Sequence, residues 1–305
     1  MMHRRNLLLG AGAVGGLAAT KAFACGAQHP SFGAPRTRGR AQPAAMLSFH
    51  GMPAVAVLIE GKGPFTFGID TGAPGHFMVT KEVASAAGLT VAGQIQTSDP
   101  SGNNPVTISR FKLGEASFGG LTFMATQADE LPPLGAPGGD LQGVIGMDLF
   151  DGQTLVLDFK SRLVSVSSER LAAADGQTIF DYPAGELIQL PVKIGDVTIP
   201  THLDTGQTNT AMMAPADVIP RLATHGQPRL VGKARTVSQT MEIFAVALDA
   251  PVSLGAVRFP VTEVVYPTVI PIGNLGSAAL QQMVVKIDRP SRRVQFVDKA
   301  GPSAV

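Results

Sequence analysis

The stretch FTFGIDTGAPGHFMV, residues 65–79, decides how the rest of the chain is interpreted. An apolar run ends at Asp70, a Thr-Gly pair follows, and apolar residues then resume. One such motif is a weak signal, because aspartate and glycine are common turn residues. The stretch IPTHLDTGQTNTAMM, residues 199–213, repeats the pattern around Asp204. The sequence therefore places two aspartates in equivalent surroundings.

Three further pairs of similar segments follow in the same order along the chain. They are SFGGLTF (117–123) with SLGAVRF (253–259), GVIGMDLF (143–150) with IPIGNLGSAAL (270–280), and DFKSRLV (158–164) with DRPSRRV (288–294). This alignment pairs Ile145-Gly146 with Ile272-Gly273. The pattern predicts a tandem duplication, with two lobes related by a pseudo-twofold axis and a cleft between them. The predicted boundaries are 47–168 for the first lobe, 169–186 for a connector, 187–298 for the second lobe and 299–305 for a tail.

The composition favours a globular, all-β protein. The chain has 305 residues, of which 45% are hydrophobic and 15% charged, with 35 glycines and 23 prolines. Short apolar runs separated by glycine and proline turns predict many short strands. The formal net charge is +1 and no basic stripe with interleaved aromatic residues is present. We therefore expect no nucleic-acid partner.

The first 24 residues, MMHRRNLLLGAGAVGGLAATKAFA, have the pattern of an export signal. Two arginines precede a small apolar stretch and an Ala-Phe-Ala cleavage pattern. Arg4 and Arg5 indicate twin-arginine export, with an ordinary secretory signal as the alternative. We predict a periplasmic protein with a flexible leader over 25–46. Cys25 is read as an incidental thiol or as a lipid-attachment site, and no later stretch is apolar for long enough to span a membrane.

Paired aspartates at equivalent positions of two lobes suggest acid–base chemistry. Two carboxylates about 3 Å apart cannot both ionise cheaply, so they share one proton, and one serves as base while the other serves as acid. Such a pair activates water for attack on an amide carbonyl. The remaining motif residues are expected to shape and support the two loops. Those expected to shape the loops are Thr71, Gly72, Ala73, Thr205, Gly206 and Gln207, and those expected to pack beneath them are Ile145, Gly146, Ile272 and Gly273.

The doubled Asp-Thr-Gly and the downstream apolar-Ile-Gly before a short helix resemble the retropepsin-like aspartic proteases, in an exported form with both halves fused in one chain. The resemblance implies a β-barrel in each lobe, hairpin flaps above the cleft, and peptide-bond hydrolysis without a metal or other cofactor. It makes Asp70 and Asp204 the catalytic pair. The partner would be a peptide or protein substrate in an extended conformation. Because one chain carries both halves, we expect a monomer.

Gln207 departs from the resemblance, since Ala, Ser or Thr usually follows the Asp-Thr-Gly motif. A bulky side chain there could block or rewire the hydrogen bonds to Asp204. An alternative function is therefore an exported peptide-binding protein without turnover, and a third is a factor that cleaves only its own leader. His76 and His202 lie near the aspartates in sequence and are interpreted as polar residues at the cleft margin.

Overall fold

The computed structural model of the protein describes residues 42–73, 75, 77–90, 104–127, 141–185, 187–235, 240–267 and 270–298. Within these ranges the chain forms three β-sheets, one α-helix and three 3-10 helices. The all-β fold class is confirmed. The predicted export signal, Cys25 and His76 lie outside the described residues, as do the tail over 299–305 and most of the predicted flap tips.

The first sheet is built from the first half of the chain. Its nine strands are β2 (Leu47–Phe49), β3 (Met52–Ile59), β4 (Lys62–Ile69), β5 (Phe77–Thr80), β6 (Asn104–Ile108), β7 (Phe111–Leu113), β8 (Ala116–Phe118), β9 (Leu121–Thr126) and β10 (Gly143–Ile145). The strand order is β6-β9-β5-β10-β4-β3-β7-β8, and β2 pairs with β3.

The second sheet is built from the second half. Its nine strands are β14 (Gln189–Ile194), β15 (Val197–Asp204), β16 (Met212–Met213), β17 (Thr224–Arg235), β18 (Thr240–Leu248), β19 (Val252–Leu254), β20 (Val257–Phe259), β21 (Glu263–Pro267) and β22 (Gly273–Gly276). Their order is β17-β18-β21-β16-β22-β15-β14-β19-β20.

The two sheets correspond strand by strand from β6 and β18 onward. In each, the strand before the Asp-Thr-Gly motif pairs in parallel with the strand that leads into a 3-10 helix, β10 in the first sheet and β22 in the second. That strand in turn pairs antiparallel with the strand that follows the motif. This common order is what a duplicated chain would have, while the duplication and its lobe boundaries stay predictions.

A third sheet joins the two halves. Its six strands are β1 (Ala44–Ala45), β11 (Thr154–Asp158), β12 (Leu163–Ser167), β13 (Ile179–Asp181), β23 (Met283–Asp288) and β24 (Arg293–Asp298). The closing hairpins β11-β12 and β23-β24 therefore meet through antiparallel pairing of β11 with β23. Sequence analysis had assigned each hairpin to its own lobe. Pairing across the halves satisfies the edge strands and fixes one half against the other.

Two predicted flexible segments contribute to this shared sheet. The leader was placed over 25–46, but Ala44–Ala45 pairs with β12, and the Met46 side chain is buried in the core. The connector was placed over 169–186, but Ile179–Asp181 pairs with β24. In both cases apolar side chains flank the pairing, and burying them offsets the entropy lost on ordering the chain.

The helical stretches predicted after each motif differ between the halves. The first forms α1 (Lys81–Ala87), which Thr80 caps by accepting a hydrogen bond from the Val83 N–H at 3.2 Å. The second forms only a 3-10 turn, η2 (Ile219–Arg221). A longer helix beginning near Ala216 would need an N–H at residue 220, and Pro220 has none. The 3-10 helices η1 (Met147–Phe150) and η3 (Ser277–Leu280) follow β10 and β22.

The hydrophobic core runs continuously through both halves. Aromatic side chains fill it in the first half, where the rings of Phe111 and Phe123 stack with centroids 5.7 Å apart and Phe67 contacts both edge-on. Leu203 and Leu275 belong to the same buried cluster in the second half. The core therefore lies beneath both Asp-Thr-Gly loops and holds the strands that carry them.

Candidate active site

Each Asp-Thr-Gly loop is anchored to a neighbouring strand of its own sheet. Asp70 follows β4, and its N–H donates to the Ile145 carbonyl at 2.9 Å. Asp204 ends β15 and is in register with Gly276 of β22. The aspartates are thus held at the ends of regular strands, which position side chains more rigidly than free loops do.

The two loops are tied together by Thr71 and Thr205. The N–H of Thr71 donates to Thr205 Oγ1, and the N–H of Thr205 donates to Thr71 Oγ1, both at 3.0 Å. The two hydroxyls then donate onward, Thr71 Oγ1 to the Leu203 carbonyl at 2.7 Å and Thr205 Oγ1 to the Ile69 carbonyl at 2.6 Å. Both threonines are fully buried. Four hydrogen bonds therefore fix one loop against the other.

The glycines allow each loop to lie against the carboxylate of the other. A Cβ on Gly72 would lie 2.7 Å from Asp204 Oδ1, and a Cβ on Gly206 would lie 2.5 Å from Asp70 Oδ2. Side-chain carbon atoms do not approach oxygen this closely, so only glycine fits at either position. The two carboxylates therefore occupy one site between the halves.

The Asp70 carboxyl lies in a buried, hydrogen-bonded environment. It is 8% exposed, and its Oδ1 accepts from the Gly72 N–H at 2.8 Å. Burial, and next the charge of Asp204, raise the pKa of Asp70 well above its ordinary value, while hydrogen bonds from the N–H groups of Gly72 and Gly206 oppose the rise. A carboxyl in these surroundings retains a proton that an exposed aspartate would lose.

Gln207 does not place its side chain on Asp204. Its N–H donates to Asp204 Oδ1 at 3.1 Å, whereas its side-chain Nε2 donates to Thr210 Oγ1 at 2.6 Å. The carbonyls of Gln207 and Ala73 play matching parts, since each accepts the first N–H of a 3-10 helix, that of Ser277 at 2.9 Å and that of Met147 at 3.0 Å. The bulk of Gln207 thus lies in its own loop.

The strand register corrects the sequence alignment beneath the loops. Ile145 pairs with Ile69, and Leu275 pairs with Leu203. The residues that match Ile145-Gly146 are therefore Leu275-Gly276, and Ile272-Gly273 lie before them. A Cβ on Gly146 would meet the Ala73 carbonyl at 2.8 Å, and one on Gly276 would meet the Gln207 carbonyl at 2.6 Å. Sequence similarity favoured the repeated Ile-Gly pair, but the close approach to the loop selects Gly276.

Two polar side chains that sequence analysis did not assign to the site lie beside Asp204. Asn274 Nδ2 donates to Asp204 Oδ2 at 2.7 Å. His202 is 7% exposed and hydrogen-bonds the backbone of Thr71; it lies inside the protein and not at a cleft margin. Burial lowers the pKa of His202, and the Asp204 carboxylate opposes this. The corrected register would have revealed Asn274, because it places Asn274 opposite the Val144 position.

Comparison with known families identifies part of the chain. Residues 55–149 match the aspartyl protease family, a range that contains Asp70 and Gly146 but not Asp204. These residues belong to the retropepsin-like aspartyl proteases. The resemblance inferred from the sequence is confirmed by this match. No curated protein matches the chain.

The aspartyl protease match implies a peptide substrate. Within the ranges that the structure covers, no helix is long and apolar enough to cross a membrane, and no group of three or more His, Cys, Asp or Glu side chains is arranged to hold a metal ion. The catalytic roles of Asp70 and Asp204 stay predictions at this point.

Proposed function

We propose that the protein is an aspartic endopeptidase in which Asp70 and Asp204 activate one water molecule. The observation that supports this most directly is the reciprocal approach of each motif glycine to the carboxylate of the other loop. It places two carboxyl groups in one site, where the repulsion between two anions favours a single shared proton.

The chemistry requires one charged and one protonated carboxyl group. The charged group removes a proton from the water as its oxygen attacks the carbonyl carbon of the peptide bond. The protonated group donates to the carbonyl oxygen, which gives a neutral tetrahedral intermediate. When the C–N bond breaks, a proton passes to the departing nitrogen, and the products are a carboxylic acid and an amine. The raised pKa of Asp70 is consistent with a dyad that holds one proton above the usual range of an aspartate.

The substrate that suits this site is an extended peptide with apolar side chains. Leu230 on β17 is 52% exposed and lies opposite Phe244 on β18. Phe244 in turn stacks on Tyr266 of β21, with ring centroids 5.7 Å apart. An extended chain lying beside these strands would place alternate side chains against this apolar strip. Libraries of defined peptides test the preference, and selection of charged residues at the cut would contradict it.

The test of the proposed function is cleavage of an unfolded protein mixture by the purified protein between pH 3 and pH 8. We expect Asp70→Asn and Asp204→Asn each to abolish cleavage, because either change removes the shared-proton pair. Asp196→Asn is the matched control, since Asp196 is exposed in the turn between β14 and β15. Cleavage that survives in both dyad variants would contradict the proposal.

The peptide-binding alternative depended on obstruction by Gln207. The contact of its side chain with Thr210 removes that argument. If the folded wild-type protein binds peptides but cleaves none at any pH, the binding function replaces the proposed one. Cleavage confined to the protein's own leader would instead favour self-processing.

We further propose that the protein is exported to the periplasm as a monomer through the signal in residues 1–24. The paired arginines support the twin-arginine route. Replacing Arg4 and Arg5 together by lysine should leave the protein in the cytoplasmic fraction. Unchanged export would favour the ordinary secretory route.

A further inference from the structure

The two aspartates differ in what lies beside them on their own sheets. One row of residues crosses each sheet two positions before the aspartate. In the first sheet the row contains Ala54, Gly68, Val144, Met78 and Met124. In the second sheet it contains Gln189, His202, Asn274, Met213 and Val265. The first row is apolar throughout, whereas the second is polar where it approaches Asp204.

The polar part of the second row reaches the carboxylate directly. Asn274 Nδ2 donates to Asp204 Oδ2 at 2.7 Å, in addition to the Gln207 N–H on Oδ1. The matching positions beside Asp70 hold hydrocarbon and sulfur. Val144 is fully buried there, and the Met52 side chain fills the space above Gly68. Asp204 therefore has a side-chain amide donor that Asp70 lacks.

The exposure of the two carboxyl groups differs in the same direction. Asp70 is 8% exposed, whereas Asp204 is only partly buried. A carboxylate anion is more stable where more hydrogen-bond donors and more water surround it. Both differences favour the negative charge on Asp204.

We propose that Asn274 is a positioning residue that makes Asp204 the charged member of the pair, so that Asp70 holds the shared proton. This inference rests on the proposed function and refines it. Asp204 then takes the proton from the attacking water, and Asp70 donates its proton to the carbonyl oxygen of the peptide bond. Asn274 contacts neither the water nor the peptide and acts only through Asp204.

Two other titratable groups face Asp204 among the described residues. They are Asp70, from the opposite loop, and His202, from the same strand. His202 Nε2 and Asn274 Oδ1 are both buried without a protein hydrogen-bond partner. Because protonation of His202 would also alter the charge near Asp204, the test includes His202→Gln, which we expect to leave both limbs of the pH profile in place.

The test is the dependence of kcat/KM on pH in Asn274→Val, which gives position 274 the residue found at Val144. The acidic limb reports formation of the first carboxylate, and the alkaline limb reports loss of the shared proton. Losing the amide donor should raise the acidic limb by about one pH unit and leave the alkaline limb unmoved, because Asp204 is charged on both sides of the alkaline limb. Gln295→Val, which removes a half-buried amide from a strand of the shared sheet, should shift neither limb.

Two outcomes overturn the inference. A shift of the alkaline limb alone would assign the shared proton to Asp204. A lower kcat/KM with both limbs fixed would make Asn274 merely structural. If Asn274→Val does not fold, Asn274→Ser provides the same comparison.

A measurement without substrate separates this inference from the proposed function. In protein labelled with ¹³C at the aspartate carboxyl carbon, the Asp204 signal, assigned with Asp204→Asn, should titrate at lower pH than the Asp70 signal. If the wild type cleaves nothing, the proposed function fails, and this titration still decides which aspartate carries the charge. An Asp70 signal that titrates first would overturn the assignment.

Discussion

Thr71 and Thr205 exchange a pair of hydrogen bonds across the two halves of the chain, each backbone N–H donating to the other hydroxyl at 3.0 Å. The exchange is reciprocal, and each hydroxyl also donates to a carbonyl of the opposite strand. Removing one hydroxyl therefore leaves a donor and an acceptor buried without partners.

We expect Thr71→Val and Thr205→Val each to lower the free energy of unfolding by about 2–4 kcal/mol, because buried unpaired polar groups are costly. Urea denaturation measures the change. Thr198→Val, at an exposed position of β15, is the matched control and should change stability little. A loss below about 0.5 kcal/mol in both variants would show that the exchange does not hold the halves together.

Gly206→Ala should abolish cleavage, because its Cβ would lie 2.5 Å from Asp70 Oδ2 and displace that carboxyl group. Kinetics on the folded variant checks this. Gly176→Ala provides the contrast. Its Cβ would meet nothing within 4 Å, although its backbone φ is +67°. That variant should lose about 1 kcal/mol of stability from backbone strain and keep its activity. Full activity in Gly206→Ala would contradict the close approach of the loops.

The raised pKa of Asp70 predicts a stability that falls with pH. Above the ordinary carboxyl pKa of 3.8, the folded protein keeps a proton on Asp70 that the unfolded chain has released. The free energy of unfolding therefore declines as the pH rises from there to the folded pKa, by up to about 1.4 kcal/mol per pH unit. Asp70→Asn removes this contribution, so the wild type should lose stability relative to the variant as the pH rises from 4 to 8.

Asp175→Asn is the control for this titration. Hydrogen bonds from the N–H groups of Ile179, Gln177 and Thr178 lower the pKa of Asp175. Its stabilising effect is therefore complete above the unfolded pKa and is lost only as the pH falls. Urea denaturation followed by circular dichroism should give a constant difference from the wild type between pH 5 and pH 8. A constant difference for Asp70→Asn as well would mean that Asp70 ionises normally.

Gln207→Ala tests the residue that departs from the family pattern. The substitution removes the bond to Thr210 and keeps the N–H that contacts Asp204. We expect a stability loss of about 1–2 kcal/mol and cleavage with both pH limbs in place. Loss of cleavage in a folded variant would show that the Gln207 side chain contributes to the reaction.

Sequence alone predicted much of the architecture and the central pair of residues. Alternation of apolar residues and frequent turns are local patterns, so the all-β class could be read from composition and periodicity. The second Asp-Thr-Gly was informative because it lay in a repeated context, which predicted that Asp204 would meet Asp70. The short helix after the first motif was also predictable, since Thr80 and Gly88 are ordinary helix-capping residues.

Long-range pairing decided the rest. The match of Gly276 with Gly146 depends on a parallel register between strands distant in sequence, and sequence similarity pointed instead to Gly273. The sheet that joins the closing hairpins requires edge strands from both halves to meet, which no local pattern encodes. The contact of Asn274 with Asp204 likewise arises only when β22 pairs with β15. The sequence by itself determined which residues carry the charge of the site, and the tertiary structure decided which neighbours make the two aspartates unequal, because hydrogen bonding and burial are set by strands brought together from distant parts of the chain.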